Sequence, residues 1–243
     1  ATSGAGGAAF AINELTNSVV AYVDNAIAVL TAGVAEIKAR SDAQIQAYAL
    51  GGALASASSG WHRRNAAVAG AGSYTNNLIR KDVVAALRHH SQIVTAGVNR
   101  VTIAAQDESD ITSVAGAAAI AAGFGGGSRS IAIGASIAIN DIGDKTPHVG
   151  VQSSVSESTI AAGGDLEVTA LSIPTITVAA IAGALAIADS GGASAAAASG
   201  AGASAENTIA TTVQAVIRET PARSPAAGPP PIPDGACRTP RPA

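Results

Sequence analysis

Across residues 165–170 the chain reads DLEVTA, and across 99–104 it reads NRVTIA. Apolar and polar residues alternate in both, the apolar ones are largely β-branched, and Gly or Asn stands just ahead. VGVQ at 149–152 and the SIAI segment keep the same two-residue period less strictly. Such a period with turn punctuation predicts short β-strands. The Ala-Gly pair before these strands reads as a tight turn, with Gly free to take positive φ, at Gly33, Gly97 and the Gly163–Gly164 pair. One stretch competes: residues 14–40 are rich in Ala, Val, Leu and charge, and alone would suit an amphipathic helix. The corresponding DLEVTALSIPTITV segment further on is β-branched and carries Pro174, which favours strand.

The same phrases recur. GAAFAIN ends at Asn13, GAGSYTNN at Asn77, GASIAIN at Asn140 and GAGASAEN at Asn207, so the anchors lie about 64, 63 and 67 residues apart. Each anchor is followed by a β-branched segment, an Ala-Gly turn, an alternating strand and an Ala/Gly-rich alternating stretch. After Asn207 comes TVQAVI and then a break. The chain is therefore read as about three and a half copies of a unit of about 65 residues. Several short strands per unit predict about three coils of about 21 residues in each, the arithmetic of a parallel β-solenoid. Ten such coils at about 4.8 Å would make a rod near 50 Å long. Asn at a coil corner would bond backbone groups that the turn leaves unpaired, so Asn13, Asn77, Asn140 and Asn207 are expected at turns, lying along one edge without touching.

Composition supports a thin, regular interior. Apolar residues make up 48% of the chain but aromatic ones only 2%, so Ala, Gly, Val and Ile must fill the core. The net charge of −3 is too weak to point to a nucleic-acid partner. Cys237 is the single cysteine and has no partner for an internal disulfide. With no methionine and Ala at position 1, the sequence reads as a piece of something longer, and no signal peptide is visible. The longest apolar run, 173–188, is interrupted by Pro174 and Gly183 and falls short of the roughly 20 residues of a membrane span, so none is expected. Residues 1–220 are read as the solenoid segment. Residues 221–243 hold eight of the ten prolines and read as a disordered, Pro-rich tail.

Candidate chemistry is sparse. GFGGGSRS at 123–130 lacks the Lys-Ser/Thr ending of a phosphate-binding loop and reads as a flexible turn between copies. His89 and His90 read as an exposed basic edge or loop, since neighbours on a strand point to opposite faces. Trp61, in GWHRRN, reads as a plug over a wide turn. Asp107, Glu108 and Asp110 read as a solvated turn between strands. Neither they nor the Asp141/Asp144 pair matches a calcium loop. No catalytic, metal or cofactor-binding residue is assigned.

The pattern GASIAIN-acid-Ile, then STIAAGGDLEVTA at 158–170, an Ala/Gly-rich alternating stretch and GAGASAEN resembles the repeats of bacterial filamentous haemagglutinin-like and leukotoxin-like adhesins, over roughly residues 5–218. The first two copies depart from it, with one Gly at the turn where the third has two. The resemblance implies a right-handed parallel β-helix at the outer surface of a Gram-negative cell. It further implies an outer-membrane secretion partner or fused translocator, and a host-cell or matrix surface as the partner to which it adheres. The resulting expectation is a non-catalytic shaft segment that extends and presents adhesive surface. The alternative is a β-helical enzyme acting on polysaccharide, or a carbohydrate-binding solenoid, and the enzyme would need carboxylates converging from adjacent coils.

Overall fold

The computed structural model describes residues 1–60, 64–143, 150–192 and 194–218. Of these, 79% are in strands and none is helical, the 14–40 stretch included. The first copy supplies β1 (Thr2–Asp24), β2 (Ile27–Leu30), β3 (Ala35–Ser41) and β4 (Gln44–Ser58). The second supplies β5 (Asn65–Arg88), β6 (Gln92–Thr95), β7 (Val101–Asp107) and β8 (Asp110–Phe124). The third supplies β9 (Ser128–Gly143), β10 (Val151–Val155), β11 (Thr159–Ala161), β12 (Leu166–Ser172) and β13 (Thr175–Asp189). The fourth supplies β14 (Ala196–Ala210) and β15 (Val213–Ile217). The Pro-rich tail lies outside the described residues.

Every described strand pairing joins one copy to the next, and all of them are parallel. Asn13 lies beside Asn77, Asn77 beside Asn140 and Asn140 beside Asn207. The short strands stack as β2–β6–β11, β3–β7–β12 and β4–β8–β13. This corrects the expected coil. A unit of about 65 residues supplies one rung, not three coils of about 21, and four rungs at about 4.8 Å span about 15 Å rather than 50 Å. The cause is the long strand: β5 runs for 24 residues without a turn, against a usual five or six. The curled, parallel, all-β arrangement is compatible with a β-solenoid.

The sequence of β5 shows how the rung is built. Its inward positions are Asn65 at the very start, then Ala67, Ala69, Ala71, Ser73, Thr75, Asn77, Ile79, Lys81, Val83, Ala85 and Leu87, all buried. Small side chains hold one end, polar ones the middle and mostly larger ones the other end. The core follows suit. An all-alanine cluster around Ala69, Ala119 and Ala132 fills one end, and Ile79, Ile111 and Ile142 lie beyond the polar positions. Val83, Leu87, Ile103 and Val151 fill the far end. Because side-chain size sets the gap between facing sheets, the cross-section tapers. At the narrow end the backbones meet: a Cβ at Gly7 would run into the Gly52 carbonyl, and one at Gly134 into that of Gly183.

Candidate functional site

The repeated asparagines sit inside the long strands, not at turns, which corrects the corner assignment. They also touch. Asn13 Nδ2 donates to Asn77 Oδ1 at 2.8 Å, Asn77 Nδ2 to Asn140 Oδ1 at 2.8 Å, and Asn140 Nδ2 to Asn207 Oδ1 at 2.9 Å. Asn77 and Asn140 are fully buried. The row runs at every rung because a rung is one whole unit. Aligned amide dipoles strengthen one another in low dielectric, and a one-residue slip would send the whole row to the outer face. The row therefore locks the register of the copies. Beside it, Ser73 donates to Ser136 (3.2 Å), Thr75 and Ser113 share a hydrogen bond (2.7 Å), and Ser136 donates to the Ala115 carbonyl (2.7 Å).

The turn glycines divide into two kinds. Gly33 (φ +98°) and Gly97 (φ +69°) lie between β2 and β3 and between β6 and β7, in the left-handed region that favours glycine. Gly163 and Gly164, between β11 and β12, are set by space: a Cβ would strike the Gly97 carbonyl from one and the Val98 carbonyl from the other. The third turn rests directly on the second, with Gly164 N–H donating to the Asn99 carbonyl (3.0 Å) and Gly163 N–H to Thr95 Oγ1 (3.1 Å).

Asp107 is not in a solvated turn. Its side chain is fully buried and paired with Lys81 Nζ, whose side chain is 1% exposed. Ser109 (2.6 Å) and Ser172 (2.9 Å) also donate to this carboxylate. Burial pushes the Lys81 ammonium below its ordinary value, partly offset by Asp107. Strand parity would have exposed this pair. Lys81 shares the inward parity of Ile79 and Val83, and Asp107 that of Val101, Ile103 and Ala105. The same parity separates the acidic cluster. Glu108 bonds Arg40 (2.8 Å), and Asp110 stands in the outer row with Gln44 and Thr175. The three carboxylates do not converge as a hydrolytic pair requires.

The remaining candidates lie in loops or on the surface. GFGGGSRS spans the turn from β8 to β9, with Gly125 (φ +110°) and Gly127 (φ +66°) left-handed. His89 and His90 occupy a left-handed turn after β5, and His89 Nδ1 lies 2.8 Å from Asp24 Oδ1. The His89 hydrogen bond, with Arg88 beside it, holds the Asp24 carboxyl below the usual range. Trp61 and Asp144 lie outside the described residues. Among the described residues, no group of three His, Cys, Asp or Glu is placed to hold a metal ion, and no helix is long and apolar enough to cross a membrane.

Surface chemistry is unevenly spread. Ion pairs linking successive copies, Glu14–Arg80, Asp24–Arg88, Arg40–Glu108 and Arg100–Glu167, cluster around the wide end. Large apolar residues stand on the outer faces along the whole rung, among them Leu54 (69% exposed) at the narrow end, Phe10 (73%) in the middle and Ile27 (73%) at the wide end. Comparison of the chain with family models, with curated proteins and with solved structures gives no match.

Proposed function

We propose that this chain is a structural shaft segment of a secreted or cell-surface filamentous adhesin, wound as a right-handed parallel β-helix. The observation that supports it is the in-register row Asn13–Asn77–Asn140–Asn207 at the centre of parallel-paired copies. A chain whose repeats pair backbone to backbone gains length with each copy and rigidity without a cofactor. The reading places the segment outside the cell or on the outer-membrane surface, exported by a secretion partner or fused translocator and facing a host-cell or matrix surface. Its outer rows repeat at each rung, so adhesion is distributed over many weak contacts. The test is adhesion of chain-coated beads to epithelial cells and to extracellular matrix. Single exposed substitutions such as Gln46→Ala should change adhesion less than about twofold. A large loss from one substitution contradicts distributed adhesion. Release of reducing sugar from matrix polysaccharide would favour the β-helical enzyme instead.

A further inference from the structure

We propose that the outer face of the β4–β8–β13 sheet is the packing surface for a second copy of this chain. The proposal is independent of the adhesin reading. From Tyr48 to Ser56 this face presents five outward rows, each of three residues in register, and none of those residues is charged. Its large side chains stand out in water: Leu50 is 70% exposed, Leu54 69% and Ile181 65%. Isolated apolar side chains on a surface are ordinary, but a contiguous sheet of them marks an interface.

Area and shape identify the occupant. Extended to the row of Ser58, Phe124 and Asp189, which puts one carboxylate at its end, the face measures about 36 Å along the strands and about 14 Å across three rungs. Two such faces together would bury about 1,000 Å², the threshold for a biological interface and the size of a weak, reversible pair. The relief is self-complementary. Leu54, Ile120 and Leu185 form a ridge along the stacking direction, and the adjacent row of Gly52, Ala118 and Gly183 forms a groove. A two-fold axis between the rows seats each ridge in the other copy's groove. The chain's own fold does not require the groove to be empty. Neither glycine has a left-handed φ, a Cβ at Gly52 would meet nothing within 4 Å, and one at Gly183 would meet only the Ala117 carbonyl, at 4.0 Å.

The test is sedimentation equilibrium of the full chain from about 1 µM to about 1 mM, with Gly183→Val and Leu54→Lys beside it. A monomer–dimer equilibrium is expected, with the dissociation constant raised at least about tenfold in each variant and the thermal melt retained. Leu54→Lys projects into solvent and keeps the test valid should Gly183→Val fail to fold. Four results would overturn the proposal. The chain could stay monomeric throughout, or form a dimer that neither variant weakens. It could grow without limit, which is edge pairing. It could also remain a monomer that floats with phosphatidylcholine vesicles and loses this in Leu54→Lys, which is lipid binding.

Discussion

The narrow and wide ends of the rung are filled by side chains of different size. At the narrow end, alanine and glycine lie between the sheets while Leu54, Ile120 and Ile131 face water. At the wide end, Val83, Leu87 and Ile103 fill the interior, and outside Arg80, Arg88 and Glu108 form ion pairs beside the exposed Tyr22, Ile27 and Val29. Between them runs the polar row. The contrast shows that burial in this chain follows parity and sheet separation rather than hydrophobicity. Where two backbones approach closely, only small side chains are admitted and the large ones must go outward.

The largest expected effect is at the wide end. Asp107→Ala should cost about 3–5 kcal/mol in urea unfolding, because it leaves Lys81 charged, buried and unpaired. The double replacement Lys81→Met/Asp107→Leu should recover most of that loss, whereas no recovery would mean that the pair's hydrogen-bond geometry, not desolvation, sets the cost. The pair should also give this end a pH signature. The folded Lys81 titrates below 10.5, so between the two values the unfolded chain holds more protons and stability rises with pH. Lys81→Met should flatten that rise in unfolding curves recorded from pH 7 to 10.

The next effect separates the ends by size. Leu87→Ala should cost about 2–5 kcal/mol through a cavity, while Ala119→Val, an enlargement, should cost about 1–3 kcal/mol through overpacking. The outward neighbour Ile120→Ala should cost under about 0.5 kcal/mol in a monomer. Equal tolerance of Ala119→Val and Ile120→Ala in thermal melts would break the account of the narrow end. For the boundary between the ends, Asn77→Ala should cost about 2 kcal/mol by leaving amide groups unpaired on both sides. The mildest expected effect at an inward or turn position is at Gly33: Gly33→Ala, left-handed but in open space, should cost about 1–2 kcal/mol. Gly163→Ala, against the Gly97 carbonyl, should cost more.

Much of this was legible before the structure. The Asn anchors gave the copies, alternation gave the strands, and scarcity of aromatics gave the thin core. The rung length was not, because Gly70, Gly72, Asn76 and Asn77 have the look of turn residues but lie inside β5, so short strands are expected where one long strand runs. The buried Lys81–Asp107 pair was missed for a related reason. Its two members lie 26 residues apart on different strands and belong to no motif, so only inward parity links them. The ladder was misplaced because asparagine favours turns when nothing stacks on it, and here an identical residue stacks on it at every rung.

The central claim is that one unit of about 65 residues makes one rung, and paired cysteines test it directly. With Cys237→Ser as background, Thr112→Cys/Thr177→Cys places two thiols on adjacent strands in register, within disulfide reach. The account predicts that this pair closes under mild oxidation, seen as a loss of about 2 Da in the intact mass. Thr112→Cys/Ile133→Cys, one 21-residue coil apart, should stay open. Closure of the second pair and not the first would contradict the account.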